Sequence, residues 1–373
     1  MCKAPLTLND RRSLVIGIDA RAAAEVPAGR GRVVRELLRA LAAREDDSYR
    51  YILYARTQWH GAELDDRFLW RLLGARDPLW HLLAARAATR ECQVFLSSNS
   101  YLTSWFLGIP CVPIVCDMVA FEPQMRPNRR SAAIERLTLG PAVRRSAALL
   151  CISHATADAL VSRFPSAGER VVVVPLGATL ASESDLDPAE LAALPEPGFV
   201  LAVGTLEPRK NLPRLVAAYC SLEEQLQRRH RLVVVGALGW ETGETLRALH
   251  SLGERCTMLG YVSDAELSEL YRRCAVFCYP SLGEGFGLPV LEAMSAGAAV
   301  ITSDLSSLPE VGGEAVEYVQ PTDVASIAGA LERLLESPDR RARLGLAGRE
   351  RAAGFSWDRT AQITLDTLRR ATG

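Results

Sequence analysis

The sequence predicts an α/β fold of two doubly wound domains in tandem, each built on a parallel sheet. Three observations predict it. The chain has 373 residues, beyond the roughly 250 to 300 at which one hydrophobic core stops growing, so two cores are expected. Short apolar runs of strand length alternate with amphipathic helical stretches, the pattern of parallel βαβ units. That alternation breaks once, at the polar, Pro-bearing stretch ASESDLDPAELAALPEPG (181–198), and then restarts.

In the first half the expected strands are SLVIGID, RYILYA, CQVFLS, CVPIVC, ALLCIS and RVVVVPLG. Helices are expected between them over Arg30 to Arg44, Arg129 to Arg145 and Ala155 to Arg163. The stretch 181–198 reads as a linker. Beyond it the strands are FVLAVG, RLVVVG, CTMLG, AVFCYP and AAVITS. Helices there are expected over Asn211 to Gln227, Thr242 to Leu252, Asp264 to Arg273 and Val290 to Ala296. The tail FSWDRTAQITLDTLRRA reads as a helix with one apolar face, and its pattern alone allows local packing or a return to the first domain.

Composition narrows the function. A hydrophobic fraction of 49% and a charged fraction of 23% are those of an ordinary globular enzyme. Net charge is -1, so bulk electrostatics names no partner, and nucleic acid is not expected as one. Up to Asp185 there are 24 basic and 19 acidic residues, against 19 and 25 beyond, so the front half is mildly basic and suits an anionic surface or a phosphorylated substrate. The nine cysteines show no zinc spacing and read as buried, reduced thiols, so a cytoplasmic protein is expected. No apolar run approaches the roughly 20 residues that span a bilayer, so membrane contact is expected to be peripheral. No signal-peptide pattern is read at the amino terminus.

Ligands of doubly wound sheets sit at the carboxyl ends of the strands, so the loops there carry the chemistry. In GTLEPRKNLPRL a buried strand ends at Gly204, Arg209 and Lys210 follow, and Asn211 is expected to cap a helix. Lysine occurs only at Lys3 and Lys210 in a chain with 43 Lys+Arg. A compact ammonium kept where arginine is otherwise used suggests a place the planar fork does not fit. Two cations at a helix start suit a phosphate or pyrophosphate. In YPSLGEGFGLPVLEAMSAGAAV, Gly283, Gly285 and Gly287 permit close backbone approach, Pro289 fits a first helical turn and Gly297 a helix end. Glu284 falls in the loop and Glu292 in the helix; carboxylates accept hydrogen bonds from sugar or ribose hydroxyls. Gly29 and Gly31 of VPAGRGRVVRELL begin a glycine fingerprint whose third glycine position is Val34, so a loop over phosphates or an acceptor is expected.

Together these residues resemble the retaining nucleotide-sugar glycosyltransferases of family 4, which have the GT-B architecture of two Rossmann-like domains facing a cleft. The motifs carrying the resemblance are GTLEPRKNL, LGYVSDAELSELY and EGFGLPVLEAMSAGAAVITSDLSSLPEVGGEA, with Glu284 and Glu292 as an E-x7-E pair. IGIDAR, the Gly29 to Arg32 loop, CISHATADAL and FSWDRTA extend it. Within the family the look is of bacterial polysaccharide mannosyl- or rhamnosyltransferases, which commonly use GDP-mannose.

The resemblance implies an acceptor-binding domain over 1–180, joined by the helix 357–373, and a donor-binding domain over 181–356. It implies that Arg209 and Lys210 bind the donor diphosphate and stabilise the leaving group. Glu292 is expected to hold the ribose hydroxyls, with the base near Tyr261 and Val262. Glu284 and the backbone N–H groups of Phe286, Gly287 and Leu288 are expected to hold the transferred sugar and distal phosphate, beside Gly285. The partners implied are a nucleoside-diphosphate sugar and a glycan or lipid-linked acceptor. Arg126, Arg129, Arg130 and Arg136 are expected to meet a phosphorylated carrier or the inner membrane face.

No cofactor or metal is expected, because positive charge preorganised at the departing oxygen suffices. Asp185 and Asp187, the single D-x-D, read as a helix cap. One departure is visible: where many relatives have His-Asp, this chain has Cys116-Asp117. Asp117 retains the ability to orient a hydroxyl, while a thiol cannot copy an imidazole. His154 is the nearest alternative imidazole, though it reads better as a surface residue at a helix start. Two further readings share the architecture, a nucleotide-sugar 2-epimerase and a catalytically silent sugar-nucleotide binder.

Overall fold

The computed structural model describes residues 13–125, 127–182 and 185–373; Lys3 and Arg126 lie outside the described residues, as do two positions of the expected linker. Among the described residues, seven parallel strands form the first sheet: β1 (Leu14–Asp19), β2 (Tyr49–Ala55), β3 (Phe68–Leu72), β4 (Val94–Ser97), β5 (Cys111–Val115), β6 (Leu149–Cys151) and β7 (Val171–Val173). Their order is β3-β2-β1-β4-β5-β6-β7. Six more form the second: β8 (Val200–Val203), β9 (Leu232–Val235), β10 (Cys256–Gly260), β11 (Val276–Tyr279), β12 (Val300–Ser303) and β13 (Glu317–Val319), in the order β10-β9-β8-β11-β12-β13. The central strands β4, β5, β9 and β11 are buried along their whole length, as expected where helices cover both faces.

Eleven strands fall where the apolar runs place them. The edge strands β3 and β13 escape that reading because FLWRL is half exposed and EYV is three residues long. The helix Asp264–Arg273 and the helix Arg129–Arg145 match their expected limits. The single helix expected over Asn211 to Gln227 is instead two, Leu212–Cys220 and Glu224–Arg229.

Each sheet reverses its winding once, between β1 and β4 in the first and between β8 and β11 in the second. Loops leaving adjacent strands in opposite directions open a crevice there, the usual ligand position of this architecture. The largest apolar cluster is continuous from Ile16 and Leu38 of the first half to Phe277 and Val290 of the second. The tail helix Trp357–Arg370 buries Trp357, Ala361, Leu365 and Leu368, one face at helical spacing. It packs on the helix Arg30–Ala42, Arg44 bonds Asp358 and Gln362, and the Thr360 hydroxyl donates to the Pro175 carbonyl at 2.6 Å. Among the described residues no helix is long and apolar enough to cross a membrane.

Candidate functional site

The loop after β8 carries Arg209 and Lys210 on a single 3₁₀ turn, Pro208–Lys210, just before the helix Leu212–Cys220. Asn211 does not cap that helix with its side chain, contrary to expectation. It adopts φ +62, a left-handed conformation that asparagine tolerates better than most residues. Its buried Nδ2 donates to the carbonyls of Pro280 (2.9 Å) and Pro321 (2.6 Å), which ties the β8 loop to the loops after β11 and β13. The Lys210 stem crosses Gly204, where an added Cβ would lie 3.1 Å from the lysine Cε. Gly204 thus makes room for a slim side chain.

Glu284, in the glycine loop after β11, is the hub of this cluster. Its Oε1 accepts from the Lys210 ammonium (2.7 Å), the Tyr279 hydroxyl (2.7 Å) and the Ser281 hydroxyl (2.7 Å), and its Oε2 pairs with Arg209. Arg209 also meets Glu207 at 2.6 Å and donates to the Gly283 carbonyl at 3.2 Å; Lys210 also donates to the Tyr279 hydroxyl. Burial pushes the Glu284 carboxyl up, but Arg209, Lys210 and their hydrogen bonds outweigh it and hold its pKa at about 2. Burial and the neighbouring Arg209 lower the Lys210 pKa, against the pull of Glu284. Glu284 is therefore the counter-ion of both cations at the reversal point of the second sheet.

The same loop runs into the helix Leu288–Ala296 through Gly287 at φ +106, and Gly297 ends it at φ +83. The first amide bonded within this turn is that of Val290, to the Gly287 carbonyl at 3.0 Å; the amides of Gly287 and Leu288 lie upstream, where a helix start presents unpaired donors. Phe286 is buried with its ring against Phe355, so only its backbone is available to a ligand. Glu292, one turn into the helix and 3% exposed, accepts from the Tyr271 hydroxyl at 3.2 Å. Burial raises its pKa to about 7, against the opposing pull of Arg32 and Tyr271. Tyr261 is exposed and Val262 half buried at the carboxyl end of β10, and Ser263 with Glu266 forms a capping box on the next helix.

Across the crevice, Gly29 (φ +55) precedes the helix Arg30–Ala42 with nothing within 4 Å of where its Cβ would be. A Cβ at Gly31 would lie 1.8 Å from the Val26 carbonyl oxygen. Arg35 holds the turn from within, donating to the carbonyls of Ala23, Val26 and Pro27. Cys116 and Asp117 follow β5, and a Cβ at Gly285 would lie 1.8 Å from the Cys116 carbonyl and 2.9 Å from the Asp117 Cβ. The glycine loop after β11 thus touches the first domain through Gly285. Arg30 donates to the Asn99 carbonyl at 2.8 Å, and burial pushes the Cys116 thiol up in pKa against the pull of the Arg30 guanidinium. Burial and Asp117 raise the Glu135 carboxyl beside this group to about 7, against Arg30.

The structure brings Gly204, Arg209, Lys210, Glu284, Gly285, Gly287 and Asp117 together, with Glu292 one turn along its helix. Sequence reasoning missed Glu207, Tyr279 and Ser281, although all three flank the singled-out loops in EPRK and YPS. It also missed Arg30, Arg32 and Glu310 as partners across the crevice. Glu310 accepts from the amides of His154 (2.8 Å) and Ala155 (2.6 Å), and the hydroxyls of Ser153 and Thr156 donate to the Gly285 carbonyl at 2.6 and 3.1 Å. His154 itself is exposed. Asp187 caps the helix Pro188–Ala193 in a capping box with Glu190, and Asp185 accepts from the Ser182 amide at 2.8 Å.

Residues 183–351 match the family model described as glycosyl transferases group 1. The O-antigen chain mannosyltransferase B of Escherichia coli is 33% identical over 259 residues, covering 66% of this chain and 66% of that protein. The serotype-specific mannosyltransferase WbdA of Escherichia coli is 38% identical over 176 residues, 46% of this chain and 22% of its own length. The chain thus spans just under two thirds of one relative and about a fifth of the other. The sucrose-phosphate synthase of Thermosynechococcus elongatus superposes with a TM-score of 0.74 at 21% identity, over 96% of this chain and 99% of that one. With Arg209, Lys210, Glu284 and Glu292 all inside it, the matched segment 183–351 is a group 1 glycosyltransferase domain, in a chain with the GT-B fold of two Rossmann-like domains.

Proposed function

We propose that this chain transfers a hexose, mannose in first expectation, from a nucleoside diphosphate to a glycan or lipid-linked acceptor in polysaccharide or glycoconjugate synthesis, with retention at the anomeric carbon. The observation that carries it is the pair Arg209 and Lys210, half-buried at the winding reversal of the second sheet and held by Glu284. Rupture of a bond to a diphosphate puts negative charge on the departing oxygen, and fixed cations in a water-poor site stabilise that charge without reorganising. Lys210, with three donors and two partners among the described residues, keeps a proton for that oxygen. The step as proposed uses no metal and no cofactor.

In this reading Glu292 takes the ribose hydroxyls, the base lies by Tyr261 and Val262, and the amides of Phe286, Gly287 and Leu288 face the distal phosphate and sugar. Residues 181–356 bind the donor; residues 1–180 and the helix 357–373 bind the acceptor, with Gly29 and Gly31 of the first domain reaching over the donor's phosphates and Asp117 orienting a hydroxyl at the reacting centre. The helix Arg129–Arg145 supports contact with a lipid-linked acceptor at a membrane face, since it exposes Ile134 and Leu137 among Arg129, Arg130 and Arg136. Basic residues around an apolar stripe suit an anionic surface. The test is incubation of the purified chain with GDP-mannose and other nucleotide sugars, with and without acceptor glycans, for wild type and Lys210→Ala. Acceptor-dependent release of nucleoside diphosphate that falls about 100- to 1000-fold in the variant supports transfer. Release of a free sugar epimer without acceptor, or an unchanged rate in the variant, refutes it.

A further inference from the structure

Arg32 belongs to the first domain, at the start of the helix Arg30–Ala42, yet all three of its guanidinium nitrogens reach beyond that helix. Its Nε lies 3.1 Å from Glu292 Oε1, its Nη1 3.1 Å from Asp264 Oδ1, and its Nη2 donates to the Thr179 carbonyl at 2.9 Å. The side chain is 12% exposed and Glu292 is 3% exposed, so this is a desolvated pair, in which neither partner is cheaply left alone. Asp264 opens the helix that follows Tyr261 and Val262. Arg32 therefore stands between the carboxylate assigned to the ribose and the loop assigned to the base.

Glu292 has two oxygens, and both are engaged: Oε1 by Arg32 and Oε2 by Tyr271. A carboxylate oxygen accepts more than one donor, but Glu292 is 3% exposed, so a vicinal diol reaches it only where a covering side chain moves, and Arg32 is the one that the opposite domain supplies. The guanidinium and the diol are alternatives at Oε1, and the change from one to the other alters a contact between the two domains.

We propose that Arg32 is a positioning residue of the nucleotide site supplied by the opposite domain: it neutralises Glu292 while the site is empty and yields Oε1 to the ribose hydroxyls of an incoming nucleoside diphosphate. The proposal rests on the reading of Glu292 as the ribose acceptor. Nucleotide binding is then an exchange, and the free energy of the Arg32 to Glu292 contact is subtracted from the affinity. The same exchange loosens the Arg32 tie between the domains each time donor enters and restores it each time nucleotide leaves.

A double-mutant cycle of Arg32→Gln and Glu292→Gln on the full chain tests this, with melting temperature as the readout, without ligand and with saturating GDP or UDP, whichever binds. Without nucleotide the single changes are expected to be non-additive by about 1 to 2 °C, the shift of a coupling near 1 kcal/mol in a chain of this size. With nucleotide the coupling is expected to vanish, and with the 2′,3′-dideoxynucleoside diphosphate to persist. Coupling that survives the ribonucleotide overturns the exchange, and additivity in the empty protein overturns the pairing. The ribose reading fails separately, when Glu292→Gln leaves the preference for ribo over dideoxy nucleotide unchanged. If the double variant does not fold, Arg32→Lys replaces Arg32→Gln in the same cycle: coupling lost with the ribonucleotide and kept with the dideoxynucleotide supports the exchange, and coupling kept with both overturns it.

Discussion

At the scale of single residues the choice of lysine at position 210 has a physical reason. Its stem crosses Gly204 with little clearance, its ammonium sits 4.8 Å from the centroid of the Tyr279 ring, and its head must share Glu284 with an arginine that already takes Oε2. A planar fork has no slot there. Lys210→Arg is accordingly expected to lose nearly as much turnover as Lys210→Ala while Arg209 keeps nucleotide bound, a split visible as a fallen kcat at little-changed nucleotide affinity. Glu292 gives a pH signature. Its folded pKa of about 7 is raised from the ordinary 4.5, so the stability this group contributes is complete below about 4.5 and is lost as pH rises through 7. An ionised acceptor is the better partner for ribose hydroxyls, so nucleotide affinity is expected to rise by up to about tenfold per pH unit below 7 and level off above it. Calorimetric titrations from pH 5.5 to 8.5 measure the slope; Glu292→Gln should flatten it, and an equal slope in that variant removes the assignment.

At the scale of elements, Asn211 and Gly285 are the joints on which the site depends. Asn211→Ala leaves the carbonyls of Pro280 and Pro321 without their donor in a buried place and puts alanine at φ +62, so a loss of about 2 to 4 kcal/mol in urea unfolding is expected. This joint also marks the limit of what the sequence discloses. Asparagine before Leu-Pro looks like a helix cap because asparagine is a preferred cap, and only the position of two distant loops reveals that its side chain is used elsewhere. Strand runs such as RLVVVG and AVFCYP were legible because buried parallel strands are continuously apolar. EYV and FLWRL were not, being short or half exposed at sheet edges. The glycine loops and the pair Glu284 and Glu292 were legible from spacing. The contacts that Arg30, Arg32 and Glu310 make across the crevice were not, because they join residues far apart in sequence without any periodic pattern.

At the scale of the whole molecule, the two domains are joined by an apolar cluster continuous between them and by the tail helix, with a set of polar ties and one close glycine contact at the crevice. Gly285→Ala puts a methyl group where the Cys116 carbonyl lies, so the domains are expected to shift apart at this contact while the secondary structure of each is kept. Small-angle scattering should show a larger radius of gyration, with turnover lost and circular dichroism unchanged; an unaltered radius with full activity would count against domain contact at this point. Glu310→Ala removes the carboxylate that the second domain places on the amides of His154 and Ala155. A loss of about 0.5 to 2 kcal/mol is expected from the missing cap, measured by urea unfolding.

The tail helix has a consequence for the order of events at the ribosome. The helix Arg30–Ala42 is among the first elements made, but the surface it buries is completed by Leu365 and Leu368, more than three hundred residues later. During synthesis that apolar face stays uncovered while the entire second domain emerges, and the first domain reaches its final form only when residues 357–370 have been translated.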